Sequence, residues 1–316
     1  MRNKVVVLGG GTGLSTLLRG LKNFPLDITA VVSVCDDGRS TGKLRKEFNQ
    51  PAVGDIRQVI ISLSETEPLI EKVLGYRFET STDLNGHAVG NLLLTALTNI
   101  TGNMSEGIKA LSKVLNIKGN VMPLTEENVT LMAKMTDGKV IEGEHNITNY
   151  KGIIKKIYYK KKPVVNKEVI CAILEADYIV LSMGSVYTSI LPNLICEDLV
   201  KAIDKSEGKI MHICNIMTQP GETDNFRASD HVKLLNKYLG KRKIEAVIVN
   251  QEVIPDSVSM KYKTKEQKDP VIYDKENFDK LKVETLSSNL VLIEDGVIRH
   301  NYKKLAAQIF LHILGE

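Results

Sequence analysis

Two successive aspartates, Asp36 and Asp37, followed by Gly38, Arg39, Ser40, Thr41, Gly42 and Lys43, form the densest group of chemically able side chains in this sequence. Paired carboxylates beside hydroxyls and cations suit Mg²⁺, which takes one or two carboxylates together with ligand phosphates. The same carboxylates suit hydrogen bonding to ribose or sugar hydroxyls. The plain alternative is an Asp-Asp-Gly turn with both carboxylates in water. A second group, Gly9, Gly10, Gly11, Thr12 and Gly13, offers backbone instead of side chains. Glycine lets the main chain approach a ligand closely, and the free N–H groups at the start of a following helix attract phosphate. The loop is not the dinucleotide fingerprint G-x-G-x-x-G, because Leu14 or Thr16 stands where the third glycine belongs, and no Gly-Lys-Ser/Thr makes it a Walker loop. It reads as a phosphate cradle or as a βα turn without a ligand.

Further along, Gly54-Asp55-Ile56-Arg57 opens a helix. Asp55 there either complements the helix dipole or faces a ligand, whereas Arg57 opposes the dipole and calls for an anionic partner. Gly86-His87 and Gly90-Asn91 lead into an almost wholly apolar helix; His87 and Asn91 either touch a ligand or satisfy the backbone. The turn from Ser182 through Gly184, Ser185 and Tyr187 to Thr188 carries small polar groups and free N–H groups, the composition of a phosphate nest. Ser185 has no recognisable base, so no Ser-His-Asp logic applies. Asn215, Thr218 and Gln219 arrive at the end of another apolar run.

The elements that carry these groups follow from patterning. Val5–Leu8, residues 28–34, 176–181, 210–215 and 244–250 are short apolar runs of buried strands. Helices are predicted over 15–21, 51–64, 67–82 and 89–98, from a Ser105 cap to about 116, over 166–175, up to about 205, over 229–239 and over 301–314. The 89–98 helix is apolar enough to be buried on every side. Residues 119–168 form a small β-rich insertion, with Asp137-Gly138 at a hairpin turn and Ile153–Tyr159 as a further strand. Residues 256–277 read as a polar surface excursion, and Leu290–Ile293 as the last strand. Strands ending repeatedly in polar, glycine-bearing loops describe an α/β fold, a three-layer α/β/α Rossmann-like arrangement with a mostly parallel, doubly wound sheet and one composite ligand crevice. No linker divides the chain, which reads as one domain over residues 1–316.

The 316 residues are 43% apolar and 25% charged, with a net charge of +4. That charge makes no case for nucleic acid. Lys155, Lys156 and Lys160 to Lys162, with Tyr158 and Tyr159 between, read as a solvated strand edge. Cys35, Cys171, Cys196 and Cys214 have neither zinc nor disulfide spacing and read as small core residues of a reducing compartment. No apolar run approaches membrane-spanning length, and the N-terminal apolar stretch is too short for a signal peptide, so a cytoplasmic location is expected.

Taken together and in order, Leu8 to Gly13, Asp36-Asp37-Gly38 with Gly42 and Leu44-Arg45, Gly54 to Arg57, Gly86-His87 with Gly90 to Leu93, Gly184 to Ile190 and Asn215 to Thr223 closely resemble the CofD-like superfamily, and within it the YvcK type, called gluconeogenesis factor. The resemblance implies the three-layer fold above. The YvcK branch implies a cytoplasmic protein that binds a nucleotide ligand, UDP-sugars in particular, and is tied to carbon metabolism, cell-wall formation and cell shape. The 2-phospho-lactate transferase branch implies the alternative, an Mg²⁺-dependent transferase with a nucleoside-diphosphate-linked donor. On that carry-over Asp36 and Asp37 hold metal or ligand hydroxyls, and the glycines from 9 to 13 and the Gly184–Thr188 turn hold phosphates. The family turn usually reads Gly-Pro-Gly-Ser where Ser182-Met183-Gly184-Ser185 stands, and Asp-Asp-Gly-Gly-Ser-Ser-Gly where this chain has Arg39 and Thr41. Neither nucleic acid nor a membrane span is expected, and the oligomeric state is left open, a homo-oligomer being allowed.

Overall fold

The computed structural model describes residues 2–65 and 68–315. The chain opens with β1 (Lys4–Gly9), α1 (Gly11–Leu21), β2 (Asp27–Val32), α2 (Arg39–Phe48), α3 (Gly54–Leu63), α4 (Pro68–Gly75), α5 (Val89–Thr101), α6 (Met104–Val114) and β3 (Asn120–Pro123). The insertion follows as β4 (Leu131–Met135), β5 (Val140–Glu142), α7 (Glu144–Asn149) and β6 (Ile154–Tyr159). Then come α8 (Lys167–Leu174), β7 (Tyr178–Leu181), a π-helical turn Val186–Ile190, α9 (Leu191–Leu194), α10 (Glu197–Lys205), β8 (Lys209–Ile213), α11 (Ala228–Asn236) and β9 (Ala246–Asn250). The chain closes with α12 (Asp256–Glu266), α13 (Lys275–Leu281), β10 (Glu284–Ser288), β11 (Val291–Glu294), β12 (Val297–His300) and α14 (Tyr302–Leu314).

Among the described residues the central sheet has seven strands in the order β10-β9-β8-β7-β1-β2-β3. Every neighbouring pair runs parallel, and helices flank the sheet to give three layers. Val5, Val7 and Leu8 of β1 and Ile179 to Leu181 of β7 are fully buried, as strands covered on both faces must be. α1 lies close on α14: a Cβ on Gly20 would stand 2.4 Å from the Tyr302 carbonyl oxygen. The C-terminal helix is thus part of the core, its start capped by Asn301, which accepts from the Lys304 N–H.

Several boundaries differ from the sequence expectation. β3 lies inside the span 119–168 yet pairs with β2 in the main sheet, so the insertion proper begins after Pro123; its own sheet runs β5-β4-β6, antiparallel. Of the predicted 67–82 helix, residue 67 lies outside the described residues, and α4 stops at Gly75. α1 begins at Gly11 instead of Ser15, because the glycines themselves turn into helix. Asn103 and not Ser105 caps α6, accepting from the Glu106 N–H. The 256–277 stretch contains α12 and α13. The last sheet strand is β10, while Val291–Glu294 pairs with β12 in a separate hairpin. β10 escaped notice because its polar, half-buried edge pattern lacks an apolar run. Cys35, Cys196 and Cys214 are buried, whereas Cys171 is exposed on α8.

Arg39 starts α2 in the left-handed region, with φ of 42°. Non-glycine residues pay conformational strain there, which accounts for glycine being usual at this place in the family that the motifs resemble. Arg39→Gly is expected to stabilise the fold by up to about 1 kcal/mol in denaturant titration. A loss of stability would mean that the arginine side chain contributes more than its backbone costs.

Candidate functional site

β1 and β7 lie side by side at the middle of the sheet, and the chain leaves them in opposite directions, toward β2 and toward β8. This is the switch point of a doubly wound sheet, where a crevice opens at the carboxyl ends of the strands. Two turns face each other across it, Gly9 to Gly13 after β1 and Ser182 to Thr188 after β7. A Cβ on Gly9 would stand 2.1 Å from Ser182 Oγ, and one on Gly13 would stand 2.1 Å from the Met183 carbonyl oxygen. These two glycines therefore serve the close approach of the turns to each other. Gly11, with φ of 61°, serves the backbone bend. Thr12 is exposed on the first turn of α1, and Gly10, the N-cap, supplies no side chain to the free N–H groups.

Asp55 comes from the first turn of α3 and reaches the start of α1. Its Oδ2 lies 2.9 Å from where a Gly10 Cβ would be, and the Gly11 N–H donates to it. Burial, then the nearby charges of Asp36 and Glu144, push its carboxyl up to about 7 against the Gly11 N–H and the Arg57 cation. Asp36 lies alongside: its Oδ1 accepts from the Gly38 N–H at 2.9 Å, and its Oδ2 lies 2.7 Å from where a Gly54 Cβ would be. Asp37 does not share this position. Its Oδ1 accepts from the His145 N–H at 2.8 Å, so it caps α7 of the insertion.

The second turn has its donors already engaged. Ser185 Oγ lies 2.8 and 2.7 Å from the two Glu222 carboxylate oxygens, the Tyr187 N–H donates to Glu222 Oε2 at 3.2 Å, and Gln219 Nε2 donates to Oε1 at 2.7 Å. Thr188 N–H and Oγ1 both point to Ser185 Oγ. The nest predicted for phosphate thus encloses a carboxylate of the chain itself, and burial pushes that carboxyl up to about 7 despite these donors. Asn215 clamps Gly184 from below, accepting from its N–H at 2.9 Å and donating to its carbonyl at 2.7 Å. Thr218 is buried and joins Asp269 through both backbone and hydroxyl. Ser182 is fully buried. Glu222→Ala leaves the Tyr187 N–H, the Ser185 hydroxyl and the Gln219 amide without their acceptor, and is expected to cost about 3–5 kcal/mol by guanidinium denaturation. A cost below about 1 kcal/mol would show that the turn holds its shape without this carboxylate.

Ser40, His87 and Asn91 meet as a buried network. Ser40 Oγ is 3.1 Å from His87 Nδ1, and Asn91 Nδ2 donates to Ser40 Oγ at 3.2 Å. All three are buried, and burial holds His87 below its ordinary pKa, hence neutral. They fasten α2 to α5; the Asn91 Oδ1 is left without a partner. Lys43 and Arg39 stand exposed on α2.

Arg57 is buried, donates to the Leu74 carbonyl at 3.2 Å and leaves its Nε unpartnered. Gly90 lets it pass, since a Cβ there would stand 2.7 Å from Arg57 Cδ. Arg57 lines a cleft of about 500 Å³ beside the first turns of α1, together with Thr12, Ser15, Arg19, Arg299 and Tyr302. That volume fits a small-molecule ligand. A larger hollow of about 860 Å³ lies at the opposite ends of β1 and β2, but its Lys4 and Lys118 are paired with Glu175 and Glu65 and its Lys22 donates to the Ser64 carbonyl. Ligands of such sheets bind at the carboxyl ends, which favours the cleft at Arg57.

Three contributors escaped the sequence reading. Glu222 sat in a recognised motif but read as part of a turn. Glu144 of the insertion, raised by burial and by Asp36 and Asp37, reaches Thr188 and the crevice from a segment that looked peripheral. Arg299 arrives on the β11–β12 hairpin, about as far along the chain as a residue can be from α1. No local signal marked either of the last two.

The profile described as 2-phospho-L-lactate transferase CofD matches residues 5–291. A gluconeogenesis factor of Halalkalibacterium halodurans is 45% identical over 309 residues, covering 98% of this chain and 96% of the relative. A gluconeogenesis factor of Bacillus subtilis is 45% identical over 305 residues, covering 96% of each. A crystal structure of a Bacillus halodurans protein superposes with a TM-score of 0.94 at 45% identity, over 98% of this chain and 100% of that one.

Proposed function

From the premise that this chain belongs to the CofD family and, within it, to the gluconeogenesis-factor type, we propose that it is a cytoplasmic regulator of carbon metabolism and cell-wall formation that works by binding a UDP-sugar. The observation that supports this reading most is Arg57. It is a buried cation with an unpartnered Nε on the wall of a ligand-sized cleft, beside the start of α1, where the N-cap residue Gly10 supplies no side chain and the Gly11 N–H is taken by Asp55. A diphosphate brings the negative charge that the Arg57 cation calls for, and a helix N-terminus receives phosphate. Arg19 and Arg299 add cations to the same cleft. The Gly184–Thr188 turn then shapes the crevice, with Glu222 and not phosphate in its nest. Ser40 and His87 are buried and engaged with each other, and His300 at the cleft holds its Nε2 on the Cys214 carbonyl, which suits binding without turnover.

A second reading rests on Asp36 and Asp55. Among the described residues no three His, Cys, Asp or Glu side chains converge to cage a metal. Mg²⁺ accompanying a nucleotide asks for less, one or two carboxylates with phosphates and water. Asp36 and Asp55 fit that donor set, and Asp37, taken by α7, does not. Bound there, Mg²⁺ would supply charge neutralisation to a phosphorus transfer, for which positioning matters more than a protein nucleophile. The chain's own residues would orient a donor, Arg57 by charge and the α1 start by N–H groups.

Calorimetry of the purified protein against UDP-N-acetylglucosamine, UDP-glucose, GDP and NAD, with and without Mg²⁺, tests both, followed by chromatography of the recovered ligand. A UDP-sugar bound and returned intact is the expected result. A preference for GDP, or a ligand cleaved only when Mg²⁺ is present, transfers the conclusion to the transferase.

A further inference from the structure

The cleft at Arg57 also carries negative charge. Glu294 lines it from β11 and Glu71 from α4. The two carboxylates differ in what they face. Glu71 Oε2 lies 3.7 Å from an Arg19 guanidinium nitrogen across the cleft, so its charge is already answered. Glu294 is exposed, and among the described residues it has neither a hydrogen-bond nor an ion-pair partner. Arg299, on the facing strand β12, is free in the same way. The register of the hairpin relates these two side chains. Leu292 stands opposite Arg299, and Glu294 opposite Val297. Residues two apart along a strand share a face, so Glu294 and Arg299 are diagonal neighbours on one face, about 7–8 Å apart and within joint reach of one ligand. That face is held in place on both sides of Arg299. The Ile298 N–H donates to Tyr262 Oη of α12 at 2.8 Å, and His300 Nε2 lies 3.1 Å from the Cys214 carbonyl oxygen.

We propose that Glu294 is the specificity-determining residue of this cleft: its carboxylate accepts from hydroxyls of a sugar joined to the diphosphate that Arg57 and Arg299 hold, and it repels the same nucleotide with a bare terminal phosphate. This inference rests on the UDP-sugar reading above and concerns the sugar end of that ligand. An ionised carboxylate only accepts hydrogen bonds. It therefore asks for O–H or N–H donors and disfavours a second anion. Neighbouring hydroxyls match its two oxygens and make charge-assisted hydrogen bonds, which are stronger than neutral ones. A bare terminal phosphate takes on a further negative charge near pH 6. Esterification to a sugar removes that charge and sets hydroxyls beside the phosphate. The hairpin face presents the matching order, a cation and, next to it, a carboxylate. A cation alone would bind any polyphosphate. The adjoining carboxylate supplies the repulsion by which a site rejects the wrong ligand as well as the attraction that holds the right one.

The test is calorimetry of the full chain, wild type and Glu294→Gln, against UDP-glucose, UDP and UTP in one buffer slightly above neutral pH. The wild type is expected to bind UDP-glucose most tightly and UTP least. Glu294→Gln keeps the shape of the side chain and removes its charge at an exposed position. It is expected to weaken UDP-glucose by about tenfold and to tighten UDP by about threefold. The opposite signs are the decisive readout, because a distorted cleft would weaken all three ligands together. Parallel changes for UDP-glucose and UDP, or an unchanged preference between them, overturn the proposal. So does a wild type that binds UDP as tightly as UDP-glucose, and in these cases the UDP-sugar reading survives. A wild type that binds none of the three overturns that reading and this inference with it.

Discussion

Gly13→Ala is expected to cost at least about 3 kcal/mol of stability and to abolish ligand binding, although alanine is ordinarily the better helix former by about 1 kcal/mol. Gly13 lies in the first turn of α1, and its missing side chain is what lets that turn rest on the turn after β7. A Cβ would stand 2.1 Å from the Met183 carbonyl oxygen, 2.7 Å from its carbonyl carbon and 3.2 Å from Gly184 Cα. All three are main-chain atoms, so no side chain can swing aside. Either α1 shifts along the sheet or the Ser182–Thr188 turn moves away. Both displace the α1 start from Asp55 and Arg57. Gly75→Ala is the matched control, at the rim of the same cleft with nothing within 4 Å of its Cβ. Urea denaturation and calorimetry with a UDP-sugar on both variants make the comparison. Equal behaviour of the two would show that the turns can separate at little cost and that the close approach is not what builds the crevice.

Asp55→Asn is expected to stabilise the protein above neutral pH. The folded-state carboxyl sits near 7, above its ordinary value of 3.8. Between those two values the folded chain holds a proton that the unfolded chain has released, so stability from this group is present at low pH and is lost as pH rises through about 7. The amide never ionises and escapes that loss. Melting at pH 8 is therefore expected to show Asp55→Asn ahead by on the order of 2 kcal/mol, allowing for its partial opening to the crevice. The gap is expected to close as pH falls toward 4. A variant less stable than wild type at pH 8 would mean that the negative charge on the α1 start stabilises more than its burial costs. Histidines set the opposite slope. Burial pushes His212 down to about 3 and His300 to about 4. The unfolded chain takes up protons below about 6.5 that these rings refuse, so their contribution is lost as pH falls through that window. In wild type the two trends offset one another between about pH 6.5 and about pH 4, and below that only the histidine loss remains. Asp55→Asn removes part of the offset, and its acid branch is expected to be the steeper.

Four positions of the candidate site, Gly13, Asp36, Asp37 and Asp55, were legible to very different degrees. Gly13 and Asp55 were visible as members of motifs, but the sequence left the glycines as a phosphate cradle or a turn without a ligand, and Asp55 as a dipole partner of its own helix or a ligand contact. In the fold Gly13 makes room for Met183, and Asp55 accepts from the start of α1. Asp36 and Asp37 are neighbours in sequence and looked like one pair. A residue later the chain turns, and the second carboxylate goes to α7 of the insertion while the first stays at the crevice. Successive side chains leave the backbone in different directions, so adjacency gave no guarantee of a shared ligand. α5 shows the same limit for burial: its apolar composition predicted a core helix, and only the contacts of Ser40 with Asn91, of Gln50 with Thr95 and of α6 with Thr98 decided which face turned inward.

By itself the sequence determined the strand runs, the glycine turns that end them and therefore the parallel α/β sheet with its crevice at the carboxyl ends, because those depend on local hydropathy and backbone freedom. It also carried the family, since the motifs keep their order along the chain. Tertiary structure alone decided that Glu222 fills the second nest, that Glu144 and Arg299 reach the site, and that Leu93 and Ile100 of α5 face outward. Each of these rests on a contact between segments far apart in the chain, and such contacts are set by how whole elements pack, which no local pattern of residues records.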